Sequence, residues 1–285
     1  MNDHLTNLRL SGASETNGGL FDEVILSGGS RVRGDLECRN FHASGSSQLS
    51  GRLICHEAAH ASGASHFQGD VQAGELHLSG GSHCFGEVRC DGDLHLSGAS
   101  HIERSVTCQS LIASGSSHLK GELRGQVLKA SGAAQIDGAI HMNRVELSGA
   151  SRLRGDVECE TFKGSGSINI SGLLNADSVE ITLSDRAECT LQDVGGDRVR
   201  IVLDTSSKSS LSGTLRKWLS GDSNSGLLTA RTIEATDIYL ESCTIQTVRG
   251  ARIAIGPNCR IGQIEYSESL SADDSSKILH PPVKL

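Results

Sequence analysis

Four histidines recur at nearly constant distance: His66, His83, His101 and His118, separated by 17, 18 and 17 residues. Imidazole is the side chain that titrates near neutral pH and the commonest nitrogen ligand for transition metals, so a regular histidine series invites a metal or proton-transfer reading. Cysteine recurs in the same way, at Cys38, Cys55, Cys90, Cys108 and Cys159. No CxxC pair, GxxxxGK[ST], GxGxxG, HExxH, GxSxG or calcium-loop pattern occurs, so the usual phosphate, zinc-protease, hydrolase and calcium signatures are missing. What these residues can do depends on the element that positions them.

That element is a repeat. Ser-Gly pairs start at Ser11, Ser27, Ser44, Ser62, Ser79, Ser97, Ser114, Ser131, Ser148 and Ser165, at intervals of 16 to 18 residues. A period of about 17 residues has room for one turn of a β-helix, with three short strands and three corners, but not for a helix and a strand with their loops. Glycine follows every repeat serine, and a second glycine stands seven residues after nine of the ten. Both columns predict corners that need positive φ or close backbone approach. Inward positions fall in pairs two apart, as strand alternation requires. They hold Ser47 with Leu49, Leu53 with Cys55, and Ala59 with Ala61, together with their equivalents in other copies. The fold class predicted is all-β: a single-stranded right-handed parallel β-helix, a solenoid of ~17-residue triangular coils. The two 18-residue intervals fit if the extra residue sits at the third corner, which lacks a fixed glycine.

In this register the cysteine column points inward, where alanine and methionine substitute, so the thiols are small apolar fillers rather than ligands. Reduced thiols suit a cytosol. The histidine column points to solvent between two inward positions. At one histidine per coil, roughly 4.8 Å apart, and with no carboxylate in the column, it reads as a surface ladder without a metal. Mutual repulsion should depress its pKa values. No cofactor is called for.

Residues 1–10 read as an N-terminal tail, 11–203 as the main β-helix, 204–226 as an inserted polar loop, 227–270 as C-terminal β-helix coils and 271–285 as a disordered tail. The loop holds the single tryptophan, in Leu215-Arg216-Lys217-Trp218-Leu219. Arg216, Lys217 and Trp218 are candidates for contact with a partner or a membrane surface; the alternative is that Trp218 folds back over the coils. The N-terminus lacks a basic segment followed by an apolar run, and no apolar stretch is long enough for a transmembrane helix. The formal net charge of −8 and the lack of a basic run argue against nucleic acid. Hexapeptide-repeat acyltransferases would show an apolar-glycine pattern every six residues, pectin-lyase-like enzymes longer coils and an acidic cleft, and ice-binding rods a flat threonine array. None is visible, so an enzyme is not expected.

The units Ser62-Gly63-Ala64-Ser65-His66-Phe67-Gln68-Gly69-Asp70-Val71 and Ser148-Gly149-Ala150-Ser151-Arg152-Leu153-Arg154-Gly155-Asp156-Val157 resemble the bactofilins, bacterial polymer-forming cytoskeletal proteins. The resemblance covers about residues 11–270, in a long variety with an extended β-helix. It implies a cytoplasmic protein acting near the membrane, with membrane association as a further expectation. Such a protein forms nucleotide-independent filaments by end-to-end stacking and scaffolds envelope, cell-shape or motility machinery. Its partners would be further copies of itself, a second bactofilin, and a membrane-surface or envelope-protein contact. A β-helix independently ends in unpaired strand edges and an open core cross-section. Leu26 and Val32 at one end and Ile261 and Ile264 at the other are the polymerisation candidates. The alternative is a non-polymerising β-helical adaptor that recruits a partner through its loop and tails.

Overall fold

The computed structural model describes residues 5–184, 187–204 and 227–285. The chain is all-β, with stacked coils of roughly 17 residues, and divides into two compact units, Met1–Arg144 and Val145–Leu285. The first holds β1 (Leu8–Leu10), β2 (Ser14–Leu49), β3 (Leu53–Phe67), β4 (Val71–Cys84), β5 (Val88–Cys90), β6 (Asp93–Ile102), β7 (Val106–Thr107), β8 (Ser110–Ala113), β9 (Ser116–Leu119) and β10 (Leu123–Ile136). The division falls within β11 (Ile140–Leu153). The second unit continues with β12 (Val157–Leu183), β13 (Glu188–Leu203), β14 (Leu227–Leu240), β15 (Cys243–Ile255), β16 (Arg260–Ala272), β17 (Lys277–Ile278) and β18 (Val283–Lys284).

Within each unit, every strand lies parallel to its equivalent one coil on. In the first, Leu36 pairs with Leu53, Cys38 with Cys55, Ala43 with Ala61 and Leu49 with Phe67. The register shifts by one between Cys38 and Phe41, which places the extra residue of the 18-residue interval at the third corner. In the second, Val199, Ile238 and Ile253 form one column through β13, β14 and β15. The inward columns are closed to solvent: Leu36, Leu53, Val71, Val88 and Val106 are each no more than 1% exposed. Burial at roughly 1.5–3 kcal/mol per aliphatic side chain outweighs the outward coil-to-coil ion pairs. Arg52–Asp35 (2.7 Å) and Arg252–Asp237 (2.6 Å), for instance, are exposed and screened by solvent.

The two glycine columns differ in cause. Glycines after the repeat serine take positive φ in most coils, as at Gly80 (+90°) and Gly98 (+99°). In the second column, Gly69 has no positive φ; a Cβ there would lie 2.5 Å from the backbone of Gly51, so close approach alone requires glycine.

Serine at the third position of the repeat is buried, yet the hydroxyls of Ser47, Ser65, Ser82, Ser100, Ser117 and Ser151 have no hydrogen-bond partner. At Ser14 and Ser30 the same hydroxyl donates to the carbonyl three residues earlier, at 2.7 and 3.3 Å. The column selects small size, as Ala134 shows (6% exposed). Ser100→Ala should therefore raise stability by about 1 kcal/mol, read as a higher guanidinium midpoint. A lower midpoint would mean that the hydroxyl is paired in solution.

Both chain ends differ from the sequence expectation. Residues 1–10 are not wholly a tail, because β1 pairs with Val24–Leu26 of β2 and opens the solenoid at Leu8. Residues 271–285 are not a disordered tail: β17 pairs with Arg260 and Ile261, and β18 with Glu265 and Tyr266. Ile278 and Val283 carry the strand pairing on either side of Pro281 and Pro282, which break it into two-residue pieces.

Candidate functional site

Two kinds of surface carry the candidate functions: the edges of the solenoid and its outward histidine columns. At the Leu8–Leu10 edge, Leu8 and Leu10 stack on Val24 and Leu26. Val24 and Leu26 are 0% exposed, whereas Leu8 and Leu10 are half-buried. Among the described residues, these are the same core columns cut across, with one side open. The Val283 edge is weaker as a strand template, since its strands are two residues long and prolines supply no N–H donor. It nonetheless exposes Leu279 (51%), Val283 (44%) and Leu285 (70%).

The four polymerisation candidates are all enclosed by the chain itself. Leu26, Val32, Ile261 and Ile264 are all 0% exposed. Leu26 is covered by Leu10 and Ile261 by Ile278, because strands form beyond the ends assigned from sequence. The corresponding edge residues are the half-buried Leu8 and Leu10 at one edge and the half-buried Ile278 at the other, while Val283 pairs with the outward Glu265. Arg216, Lys217 and Trp218 lie outside the described residues.

The cysteines are buried and free, apart from the half-buried Cys159. Burial pushes the thiols of Cys84, Cys108 and Cys159 up to about 12 and that of Cys90 to about 11. Protonated, enclosed thiols are poor nucleophiles and poor ligands.

The histidines form two outward columns rather than one. In the first, His66, His83, His101 and His118 are register partners through β3, β4, β6 and β9, with ring centroids 6.3, 4.8 and 4.6 Å apart. The second, His42, His60, His77 and His95, was missed. Its rings stack at 5.2, 4.5 and 4.4 Å. The signal was present in the sequence as histidine two residues before four repeat serines. The expectation that no carboxylate joins the first column fails. Glu103 lies on the His101 side of its strand end, and its Oε1 is 3.1 Å from His83 Nε2 and 3.0 Å from His101 Nε2. The Lys120 ammonium, 2.7 Å from the other oxygen, is the main cause that holds the Glu103 carboxyl down to about 2, with His83 adding to it.

Burial lowers the pKa of His77 below its ordinary 6.5, and its neighbours His95 and His60 lower it further against the opposing pull of Glu75 and Asp93. The folded state thus resists a proton that the unfolded chain accepts. Its contribution is fully present above pH 6.5 and is lost as pH falls through the lowered folded value. Relative to His77→Gln, the wild-type chain should lose stability as pH drops below 6.5, measured as paired denaturation curves between neutral and mildly acid pH. Parallel curves would contradict it.

Comparison with known families bears on this geometry. Residues 77–175 match the family model of the bactofilins, described as polymer-forming cytoskeletal. These residues belong to the bactofilin family. The matched bactofilin stretch runs from His77 through the regular coils to Asn175, so it holds the glycine corners and most of the first histidine column. It comes from a structural family rather than an enzyme family. The chain is also similar to two Bacillus subtilis proteins that carry the description "uncharacterized": YhbF, 43% identical over 53 residues (19% of this chain), and YhbE, 40% identical over 52 residues (18%). These matches span 23% and 22% of the two relatives, so the chain covers less than a quarter of their length. No solved structure matches. Among the described residues, no helix is long and apolar enough to cross a membrane.

Proposed function

We propose that this chain self-assembles end to end, without nucleotide, into filaments that scaffold envelope, cell-shape or motility machinery. The observation that carries the reading is the open core at Leu8 and Leu10, whose stacking partners Val24 and Leu26 are completely buried. A second solenoid edge placed there would bury both leucines and pair the free backbone of β1, which no water-filled gap does as well. The family description as polymer-forming supports it. Association through unlike ends builds a polar filament and through like ends a non-polar one. A second bactofilin offering the same edge is a partner of the same kind, and envelope proteins or a membrane surface are what such a filament would organise.

The adaptor reading keeps one specific support, the short proline-interrupted strands at the Val283 edge, which cap that edge against strand addition. High-speed sedimentation of the purified chain, nucleotide-free and across a salt series, separates the two. Filaments predict material in the pellet at a sharp threshold concentration. A chain that stays in the supernatant at every concentration and salt would favour the adaptor.

A further inference from the structure

We propose that His83, His101 and Glu103 bind a divalent transition-metal ion, with Zn²⁺ the best fit, on the outer face of the first unit. Both imidazoles project from register partners on β4 and β6. Both Nε2 atoms converge on one oxygen, Glu103 Oε1, at 3.1 and 3.0 Å. Their ligand atoms lie within 4.8 Å of one another, the one cluster of three such side chains among the described residues. A tetrahedral zinc site with bonds of about 2.0–2.2 Å separates its ligand atoms by about 3.3 Å. The two carboxylate–imidazole separations are already within a few tenths of an ångström of that value, and the two imidazole nitrogens, within 4.8 Å of each other, complete the site by closing toward the ion. Two imidazoles and one carboxylate suit zinc and its borderline neighbours rather than magnesium or calcium, which prefer oxygen alone.

The surroundings fix these ligands as a metal site requires. Lys120 donates to Glu103 Oε2 at 2.7 Å, leaving Oε1 for the histidines. Phe85 stacks on the His83 ring at 3.9 Å and 17°. His118, next along the column, is engaged by Asp137 at 2.9 Å and Gln135 at 3.0 Å, so water is the natural fourth ligand. The second column lacks this convergence. Its rings stack face to face, His77 on His95 at 4°, and the nearest carboxylate contacts of His77 and His95 are 3.9 Å. The ion would join two consecutive coils by metal–ligand bonds, a staple inside the bactofilin stretch.

The test is equilibrium dialysis of the chelator-treated full chain against Zn²⁺, with X-ray absorption of the loaded protein. The expected result is one tight equivalent bound through nitrogen and oxygen. His101→Ala and Glu103→Gln should each weaken it by at least about tenfold, the smallest loss expected even for an outer-shell residue, while His95→Ala leaves it unchanged. Because side chains on this face are half-exposed, the variants should keep the wild-type circular dichroism. Should one not fold, zinc protection of His83 and His101 against diethyl pyrocarbonate in the wild-type chain gives the same answer. Sulfur ligation, absence of a tight equivalent, or loss in His95→Ala but not in His101→Ala overturns the proposal.

Discussion

Gly80→Ala should destabilise the chain by on the order of 3 kcal/mol or more, and Gly81→Ala, one residue on, should be within about 0.5 kcal/mol of wild type. Gly80 has φ +90°, and a Cβ there would sit 2.5 Å from the carbonyl oxygen and 2.9 Å from the nitrogen of Gly63. Those atoms belong to the backbone of the preceding coil, which pairs with Gly80, as Gly98 does on the other side. Neither can retreat without opening the ladder. At Gly81 a Cβ meets nothing within 4 Å, and its register partners are already Ala64 and Ala99. The measurement is the guanidinium midpoint by circular dichroism for both variants. Equal effects would show that general chain flexibility, not the approach of stacked corners, sets the glycine requirement.

The second large effect is on assembly. Leu10→Lys should weaken edge association by about 100-fold, which corresponds to roughly 2.7 kcal/mol. The leucine would be buried against a second edge, whereas a lysine there carries its charge into that contact with no partner. Ile278→Lys, at the position stacked on Ile261, tests the other edge. Sedimentation velocity of each variant reads the geometry as well as the loss. If like ends pair, each single variant stops at dimers joined through its intact edge. If unlike ends pair, each stops at monomers, and mixing the two variants restores only dimers. Assembly unchanged in both variants would mean lateral association of the solenoids.

Most of the fold was legible because a parallel solenoid stacks each residue on its equivalent one period away. The period, the alternation and the glycine columns then specify the register, down to the pairing of Cys38 with Cys55 and His83 with His101. The ends were not legible, because pairing there depends on single short strands with no copy to compare. Leu8–Leu10 and Val283–Lys284 carry too little pattern to stand out from a tail, and that shifted the assembly candidates inward onto Leu26, Val32, Ile261 and Ile264. Glu103 was missed for a different reason. It lies outside the histidine column in sequence, and its approach to His83 comes from the next coil, at a separation of 20 residues. The column logic follows stacked equivalents and does not follow side chains that lean across to a neighbour.

Negative-stain electron microscopy of the purified chain, free of nucleotide and across salt concentrations, tests the central claim most directly. The account predicts unbranched filaments a single solenoid in width that persist without nucleotide and are lost in Leu10→Lys. Dispersed single particles at every concentration would contradict self-assembly of this chain and leave the adaptor as the better account.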